Sequence, residues 1–321
     1  MDFFTHFLIG IFISINTLNS LPFSIALYAV IMAIIADFDI LLAPLRLIIK
    51  SNFLSHKGLS HSYFTALIFS FFTAIIFTII TIEQFIIAWF VGFLFYSIHI
   101  SLDLVTASKI PIFYPFSKKR YRFFIDRAIN LVLALISGLV IVFYSLLYFF
   151  LPQLFFSYLF QYFFGFYLVY FLYRFISKIW IQAKLPPNTL YIPGLFPFIY
   201  FVYENQSFEN ILLFKLIKKY QFFSKEINLL EFKIEKGSKE MKFFEKAISL
   251  SKKYVFFNKW KCIIPFIQEN KRNIIVILIL AESYAFSNAY ALKFIFDNNT
   301  YKCINETESF NYRTKSIRLK L

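Results

Sequence analysis

Six long apolar segments lie between Phe7 and Ile176 and leave this sequence few ways to fold. A helix needs about 20 mainly apolar residues to cross the hydrocarbon core of a bilayer. The last four segments meet this requirement, whereas the first two are shorter and suit a shallow or tilted hairpin. The six segments are Phe7–Ile15, Leu21–Ala36, Tyr63–Ile82, Phe85–Leu104, Ile129–Leu151 and Leu154–Ile176.

The composition agrees with a membrane protein, because 59% of the residues are hydrophobic and only 16% are charged. Soluble domains contain roughly 45–50% apolar residues and about a quarter charged residues. We therefore predict a polytopic α-helical membrane protein with about six membrane helices and a C-terminal soluble α+β domain.

Basic residues alternate between the loops and predict the orientation. The short loops at residues 16–20, 83–84 and 151–153 contain no Lys or Arg, whereas the other loops contain many. By the positive-inside rule the basic loops face the cytoplasm, which places both termini there in a multi-pass inner or plasma membrane protein. The net charge of +15 favours membrane lipids as partners over nucleic acid. The oligomeric state stays open.

The character of the sequence changes after Lys184, where Leu185-Pro186-Pro187-Asn188 is typical of a linker. We predict a membrane-embedded domain at 1–184, a cytoplasmic α+β domain at 185–297 and a basic, disordered tail at 298–321. The elements predicted in the α+β domain are strands at Phe196–Tyr203, Ile211–Phe223, Ile274–Leu280 and Tyr290–Phe296, and a helix at Ser238–Lys253.

Polar residues interrupt the apolar segments near the ends that the orientation argument places in the cytoplasm. Ionisable groups beside apolar spans are costly and mark a functional site by default. The orientation argument does not use these residues, so their common placement is informative. The residues are His6, Asp37, Asp39, His56, His61, His99 and Asp103, which include all four histidines of the chain.

The spacing of these residues points to a metal site. His99 and Asp103 share one helix face because they are four residues apart. Asp37 and Asp39 end a helix, where the macrodipole disfavours negative charge, and a nearby cation would offset that effect. Each motif also has a plain explanation, as a helix cap or a solvated loop; Ser60, for example, is placed to cap the helix that follows His61.

The polar residues form an ordered set of motifs: His6 near the N-terminus, Ala36-Asp37-Phe38-Asp39, His56-Lys57-Gly58-Leu59-Ser60-His61-Ser62, His99-x3-Asp103-x2-Thr106 and Tyr114-Pro115-Phe116-Ser117. The combined motifs resemble those of the YdjM-type (DUF457) family of membrane-bound metal-dependent hydrolases, over about residues 1–125. This sequence has Lys57 and Ser60 where the family pattern has Arg and Thr, and it lacks the proline before Asp37.

The resemblance implies hydrolysis of a phosphoester or lipid-like anionic substrate at the cytoplasmic face. His and Asp are ligands that zinc favours, and a bound zinc ion lowers the pKa of its water to about 7. We predict a divalent ion, with zinc expected, held by His6, His56, His61, His99 and Asp103. Asp37 and Asp39 are predicted to be catalytic, one of them as general base. The predicted substrate-binding residues are Lys57, Ser62, Thr106, Lys118, Lys119 and Arg120.

Two other interpretations use the same residues. In an ion- or proton-coupled transporter, the His and Asp residues would form a relay. In a membrane anchor for a binding domain, the motifs would be structural. The polar residues lie at helix ends and the sequence shows no internal repeat, both of which favour the enzyme over a transporter.

Overall fold

The computed structural model divides the chain into two compact units, Met1–Phe175 and Ile176–Leu321. The residues that the structure describes are 1–18, 20–42, 57–150, 159–254, 256–257, 260, 262–270, 272–286 and 289–310.

The first unit consists of helices, and each predicted apolar segment overlaps one of them. The helices are α1 Phe3–Thr17, α2 Phe23–Ile34, α3 Tyr63–Thr81, α4 Phe85–Val105, α5 Leu131–Phe150 and α6 Leu159–Lys184, the last of which continues into the second unit. α2 continues as a 3-10 helix at Ile35–Leu42, and another short 3-10 helix, Leu59–His61, precedes α3.

Among the described residues, four helical segments are long and apolar enough to cross a membrane: Phe23–Leu41, Tyr63–Thr81, Phe85–Val105 and Gln161–Lys184. Phe3–Thr17 and the Leu131–Leu147 part of α5 are apolar but shorter. α1 ends where the side chains of Asn16 and Thr17 bond to backbone carbonyls one turn earlier. The prediction of membrane helices is therefore confirmed for four segments, and six crossings are not.

Small residues bring the helices that carry the polar motifs close together. A Cβ atom at Gly10 would lie 2.8 Å from that of Ala33, and one at Gly92 would lie 2.5 Å from the hydroxyl of Tyr28. α2 therefore packs closely against both α1 and α4. The Tyr28 hydroxyl also hydrogen-bonds Thr73 on α3, at 2.8 Å.

The loop between α4 and α5 folds back onto the end of α4. Backbone N–H groups of Phe123 and Ile125 donate to the carbonyls of Leu104 and Val105, at 2.6 and 2.8 Å. The loop also carries Asp126, a buried carboxylate that pairs with Arg174 of α6 at 3.3 Å. These contacts connect α6 to the end of α4 where His99 and Asp103 lie.

The second unit contains two four-stranded antiparallel sheets, each with its strands in chain order. α7, Lys239–Ser251, lies between the sheets in sequence, and its N-cap is Ser238. The strands are β1 Thr189–Pro193, β2 Ile199–Ser207, β3 Ile211–Tyr220, β4 Glu226–Glu235, β5 Ile263–Glu269, β6 Asn273–Leu280, β7 Ala291–Asp297 and β8 Cys303–Ser309. A short helix, α8 Ala281–Ala285, follows β6.

The predicted strands and helix correspond to β2, β3, β6, β7 and α7, and the structure adds four further strands. The second unit begins earlier than predicted because the end of α6 contacts the first sheet. Ser177 bonds to Gln221, and the Gln182 side chain accepts from the backbone of Tyr191. Residues 303–309, predicted as part of the tail, form β8 and pair with β7. Residues 311–321 of the predicted tail lie outside the described residues.

Candidate metal centre

Four predicted site residues come together at the ends of α2, α3 and α4. Asp37, His61, His99 and Asp103 each offer one ligand atom, and these atoms all lie within 4.8 Å of one another. The side chains of both histidines and of Asp103 are fully buried, whereas that of Asp37 is 15% exposed. We call these four residues the donor cluster.

The distances within the donor cluster suit one small ion. His61 Nε2 lies 3.0 Å from Asp103 Oδ2, 3.4 Å from His99 Nε2 and 3.8 Å from Asp37 Oδ1. His99 Nε2 lies 3.6 Å from Asp37 Oδ1. Ligands bound tetrahedrally to zinc at about 2.1 Å stand roughly 3.4 Å apart. The donor set and its spacing therefore both fit a zinc-like ion.

The histidines are held from their outer nitrogens, so that Nε2 of each faces the donor cluster. Nδ1–H of His99 donates to the carbonyl of Ala33 at 2.8 Å. The Ser60 hydroxyl donates to Asp39, and it therefore accepts from Nδ1–H of His61 at 2.9 Å. A ring whose Nδ1 carries the hydrogen keeps its Nε2 lone pair for a metal ion.

Asp39 lies on the outer side of His61. Its Oδ2 accepts from the backbone N–H of Lys57 at 3.0 Å and from the Ser60 hydroxyl, and it lies 3.5 Å from His61 Nδ1. These contacts place Asp39 behind the His61 imidazole, whereas Asp37 lies directly in the donor cluster.

Positively charged groups surround Asp103. The Lys57 ammonium lies 2.7 Å from Asp103 Oδ2, and the amino group of Met1 pairs with Oδ1. His6 Nε2 is 3.4 Å from Oδ1, and the His6 ring stacks on His99 with 3.9 Å between the centroids. Lys57 is buried and its backbone is left-handed, with φ of 58°.

The His61 imidazole responds to the same negative charge. Burial lowers its pKa, but hydrogen bonds to Asp103, Asp37 and Asp39 outweigh burial and raise the pKa to about 9. His61 is therefore protonated at neutral pH when no metal ion is bound. The electrostatics of the three carboxylates thus favour a positive charge at the centre of the donor cluster.

The structure brings together three of the five predicted ligands, His61, His99 and Asp103. His6 contacts Asp103 and His99 beside the donor cluster, and His56 lies outside the described residues. Asp37, predicted as catalytic, is the fourth member of the donor cluster. The catalytic roles of Asp37 and Asp39 stay predictions.

Two predicted substrate-binding residues cap helices. Ser62 is the N-cap of α3, and its side chain accepts from the backbone N–H of Thr65 at 3.1 Å. The prediction that Ser60 caps this helix is therefore wrong. The Thr106 hydroxyl donates to the carbonyl of Asp103 at 2.8 Å, where α4 ends. Both side chains are fully buried, which suits a structural role.

The basic loop residues lie at the surface of the loop after α4. Lys118 and Lys119 are exposed, and the Lys119 ammonium lies 5.3 Å from the centroid of the Tyr121 ring. Arg120 donates to the carbonyl of Lys109 at 3.5 Å. Their part in substrate binding stays a prediction, as does that of Lys57.

Sequence reasoning missed two groups that orient the donor cluster. The carbonyl of Ala33 fixes His99, and the Ser60 hydroxyl connects Asp39 to His61. A backbone carbonyl has no sequence signal. The serine lies next to His61 in sequence, and that adjacency was the available clue.

A comparison with known families completes the description. The family model of the YdjM inner membrane protein matches residues 1–181, which contain the whole donor cluster and all six helices except the last residues of α6. No curated protein and no solved structure gives a significant match. Because the match covers more than half of the chain, this protein belongs to the YdjM inner membrane protein family.

Proposed function

We propose that this protein is a membrane-bound, metal-dependent hydrolase that acts on a phosphoester or lipid-like substrate at the cytoplasmic face. The observation that carries the proposal is the donor cluster, with two imidazole nitrogens and two carboxylate oxygens within 4.8 Å of one another. Buried His and Asp side chains at this spacing are typical of a metal site.

In this proposal His61, His99 and Asp103 would hold a divalent ion, with zinc expected, which leaves a position open to water and leaves Asp37 beside the ion to act as a base. The Ala33 carbonyl and the Asp39–Ser60 pair keep the two imidazoles in the orientation that ligation requires. Such an ion, when bound, polarises substrate oxygens and lowers the pKa of water to about 7.

Of the two carboxylates predicted to be catalytic, Asp37 is the better candidate for the general base. Its side chain is more exposed than that of Asp39, at 15% against 9%. Oδ2 of Asp39 already accepts from Lys57 N–H and the Ser60 hydroxyl, and those bonds hold it behind His61. Asp39 therefore acts as a positioning residue in this proposal.

The positive groups near Asp103 suit an anionic substrate. The Lys57 ammonium lies at the edge of the donor cluster, 2.7 Å from Asp103, and charge-assisted bonds from an ammonium to phosphate oxygens are strong. The exposed Lys118 and Lys119 add positive charge on the loop after α4. These groups support a phosphate-bearing substrate over a neutral one.

Metal analysis of the purified protein tests the proposal. We expect about one zinc ion or more per chain, lost in His61→Ala and Asp103→Ala. Glu83→Gln is a matched control. Glu83 lies in the loop between α3 and α4, accepts a hydrogen bond from Ser24 of α2 and takes no part in the donor cluster. Hydrolysis of phosphodiester and phospholipid substrates should stop with a chelator and return with zinc.

Equal and negligible metal in the wild-type protein and both variants would refute the metal site. Metal binding without hydrolysis of any of these substrates would refute the reaction class. A coupled ion flux in vesicles, without hydrolysis, would instead support the transporter.

A further inference from the structure

Four exposed phenylalanines gather at one end of the first sheet. Phe196 and Phe198 lie in the turn between β1 and β2, and their side chains are 41% and 39% exposed. Phe222 and Phe223 lie in the turn between β3 and β4, and both are 68% exposed. We call these four residues the aromatic end. Exposed apolar groups in such a cluster mark an interaction surface.

The fold holds the aromatic end in place. The N–H of Gly194 donates to the carbonyl of Ile199 at 3.0 Å, and a Cβ atom at Gly194 would lie 2.2 Å from that oxygen. The N–H of Gln221 donates to the carbonyl of Phe198 at 2.9 Å, which joins the two turns. The phenylalanines therefore face outward from a constrained backbone.

Contacts with α6 join the aromatic end to a helix that is long and apolar enough to cross a membrane. The Ser177 hydroxyl donates to the side chain of Gln221, next to Phe222, at 3.3 Å. Ser177 lies within Gln161–Lys184, the segment of α6 that is long and apolar enough to cross a membrane. One turn further on, Trp180 is half exposed and lies under the Lys184 ammonium, at 3.6 Å.

Trp and Lys side chains at the end of an apolar helix mark the boundary between lipid and water. Gln221 bonds to Ser177, three residues before Trp180, so the neighbouring Phe222 and Phe223 are joined to the end of α6 that carries these two side chains. Lys218 and the exposed Lys225 lie on either side of the same turn, whereas the Lys219 ammonium pairs with Glu226 at 2.6 Å. Lysines near a membrane surface attract anionic lipids.

The opposite end of the sheet provides a contrast. There the turn between β2 and β3 carries a single exposed phenylalanine, Phe208, which is 54% exposed and is followed by the exposed Glu209. This residue resembles Phe222 in exposure but belongs to the end that lies away from Ser177.

We propose that the aromatic end inserts into the interface of the membrane that α6 enters, where its phenylalanines contact acyl chains and its lysines contact anionic headgroups. The second unit is then attached to the bilayer at two places, through α6 and through the aromatic end. This inference does not depend on the hydrolase proposal.

Tryptophan fluorescence in vesicles tests the inference on the full chain. Trp89, Trp180 and Trp260, the three native tryptophans, are replaced by phenylalanine. One reporter is then introduced, as Phe222→Trp at the aromatic end or Phe208→Trp at the opposite end as the control. The vesicles contain phosphatidylcholine and phosphatidylglycerol, with bromine on the upper part of the acyl chains.

We expect brominated lipid to reduce the fluorescence of the Phe222→Trp protein at least about twofold, because interfacial side chains reach roughly 5–10 Å into the headgroup and acyl boundary. The Phe208→Trp protein should keep its fluorescence and be quenched by acrylamide in the water. Phe223→Trp is a second reporter at the aromatic end, for use if Phe222→Trp does not fold.

Three results would overturn the inference. Quenching of the Phe222→Trp protein by acrylamide but not by brominated lipid would place the aromatic end in water. Protection from both quenchers would mean that protein covers it. Equal lipid quenching of the Phe222→Trp and Phe208→Trp proteins would show that the contact is not specific to this end.

Discussion

Replacing Asp39 by asparagine should weaken zinc binding without removing a ligand. Asp39 stands behind His61, and its Oδ2 accepts from the Ser60 hydroxyl, which in turn accepts from Nδ1–H of His61. The amide oxygen of asparagine can still accept from Lys57 N–H and the Ser60 hydroxyl, but it carries no negative charge. The bond from Ser60 is therefore weaker, and the His61 imidazole is held less firmly with Nε2 toward the donor cluster.

The size of the effect follows from the position of Asp39 behind a ligand. Loss of a partner that orients a ligating histidine lowers metal affinity about 10- to 100-fold. This range corresponds to about 1.4–2.7 kcal/mol at 25 °C. The Asp39→Asn protein keeps the shape of the side chain, so its fold should be intact and the loss should appear mainly in zinc affinity.

Competition with a calibrated zinc chelator, in detergent or nanodiscs, measures this affinity. The comparison includes wild type, Asp39→Asn, His61→Ala and the control Glu83→Gln, and thermal unfolding of the metal-free proteins verifies the fold. An affinity within twofold of wild type would refute the positioning role of Asp39. A loss as complete as in His61→Ala would show instead that Asp39 is itself a ligand.

Three further expectations concern protonation, packing and capping. In the metal-free protein the pKa of His61 is about 9, so zinc binding at pH 7 must release the proton of His61. The apparent affinity for zinc should therefore rise about tenfold per pH unit up to that pKa. Calorimetry in buffers of different ionisation enthalpy measures the proton release. Gly92→Ala places a Cβ atom 2.5 Å from the Tyr28 hydroxyl and should lower the free energy of unfolding by about 1–3 kcal/mol. The control Gly138→Ala, whose Cβ atom meets nothing within 4 Å, should leave the free energy of unfolding nearly unchanged. Ser62→Ala removes the cap of α3 and should cost about 1 kcal/mol of stability with zinc affinity unchanged; unaltered stability would contradict the capping role.

Helix-based patterns predicted much of the donor cluster. The spacing of His99 and Asp103 places them on one face of α4, and loop charges placed His61 and Asp37 at the same predicted side of the membrane. The sequence did not distinguish Asp37 from Asp39, because both follow α2 two residues apart. Their roles separate only in three dimensions, where Asp37 faces the imidazole Nε2 atoms and Asp39 faces the Ser60 hydroxyl.

Two of the strands that the sequence did not predict, β5 and β8, lack the usual signals. β5 contains Pro265, which demotes a strand in pattern analysis but is accepted here within a paired strand. β8 has an exposed, glutamate-bearing sequence and is held by its pairing with β7 rather than by burial. Pairing between distant strands depends on the whole sheet, and so local composition does not reveal it.

The bond between His99 and Ala33 also bears on the choice between an ion site and a proton relay. A histidine in a relay accepts a proton on one nitrogen and releases one from the other, so both nitrogens need partners that exchange protons. The Nδ1 of His99 faces a backbone carbonyl at 2.8 Å, which accepts a hydrogen bond but neither takes nor returns a proton. His99 is therefore oriented as a fixed ligand, with only Nε2 turned to Asp37 and His61. For this reason we expect vesicles containing the protein to show no proton flux that depends on His99.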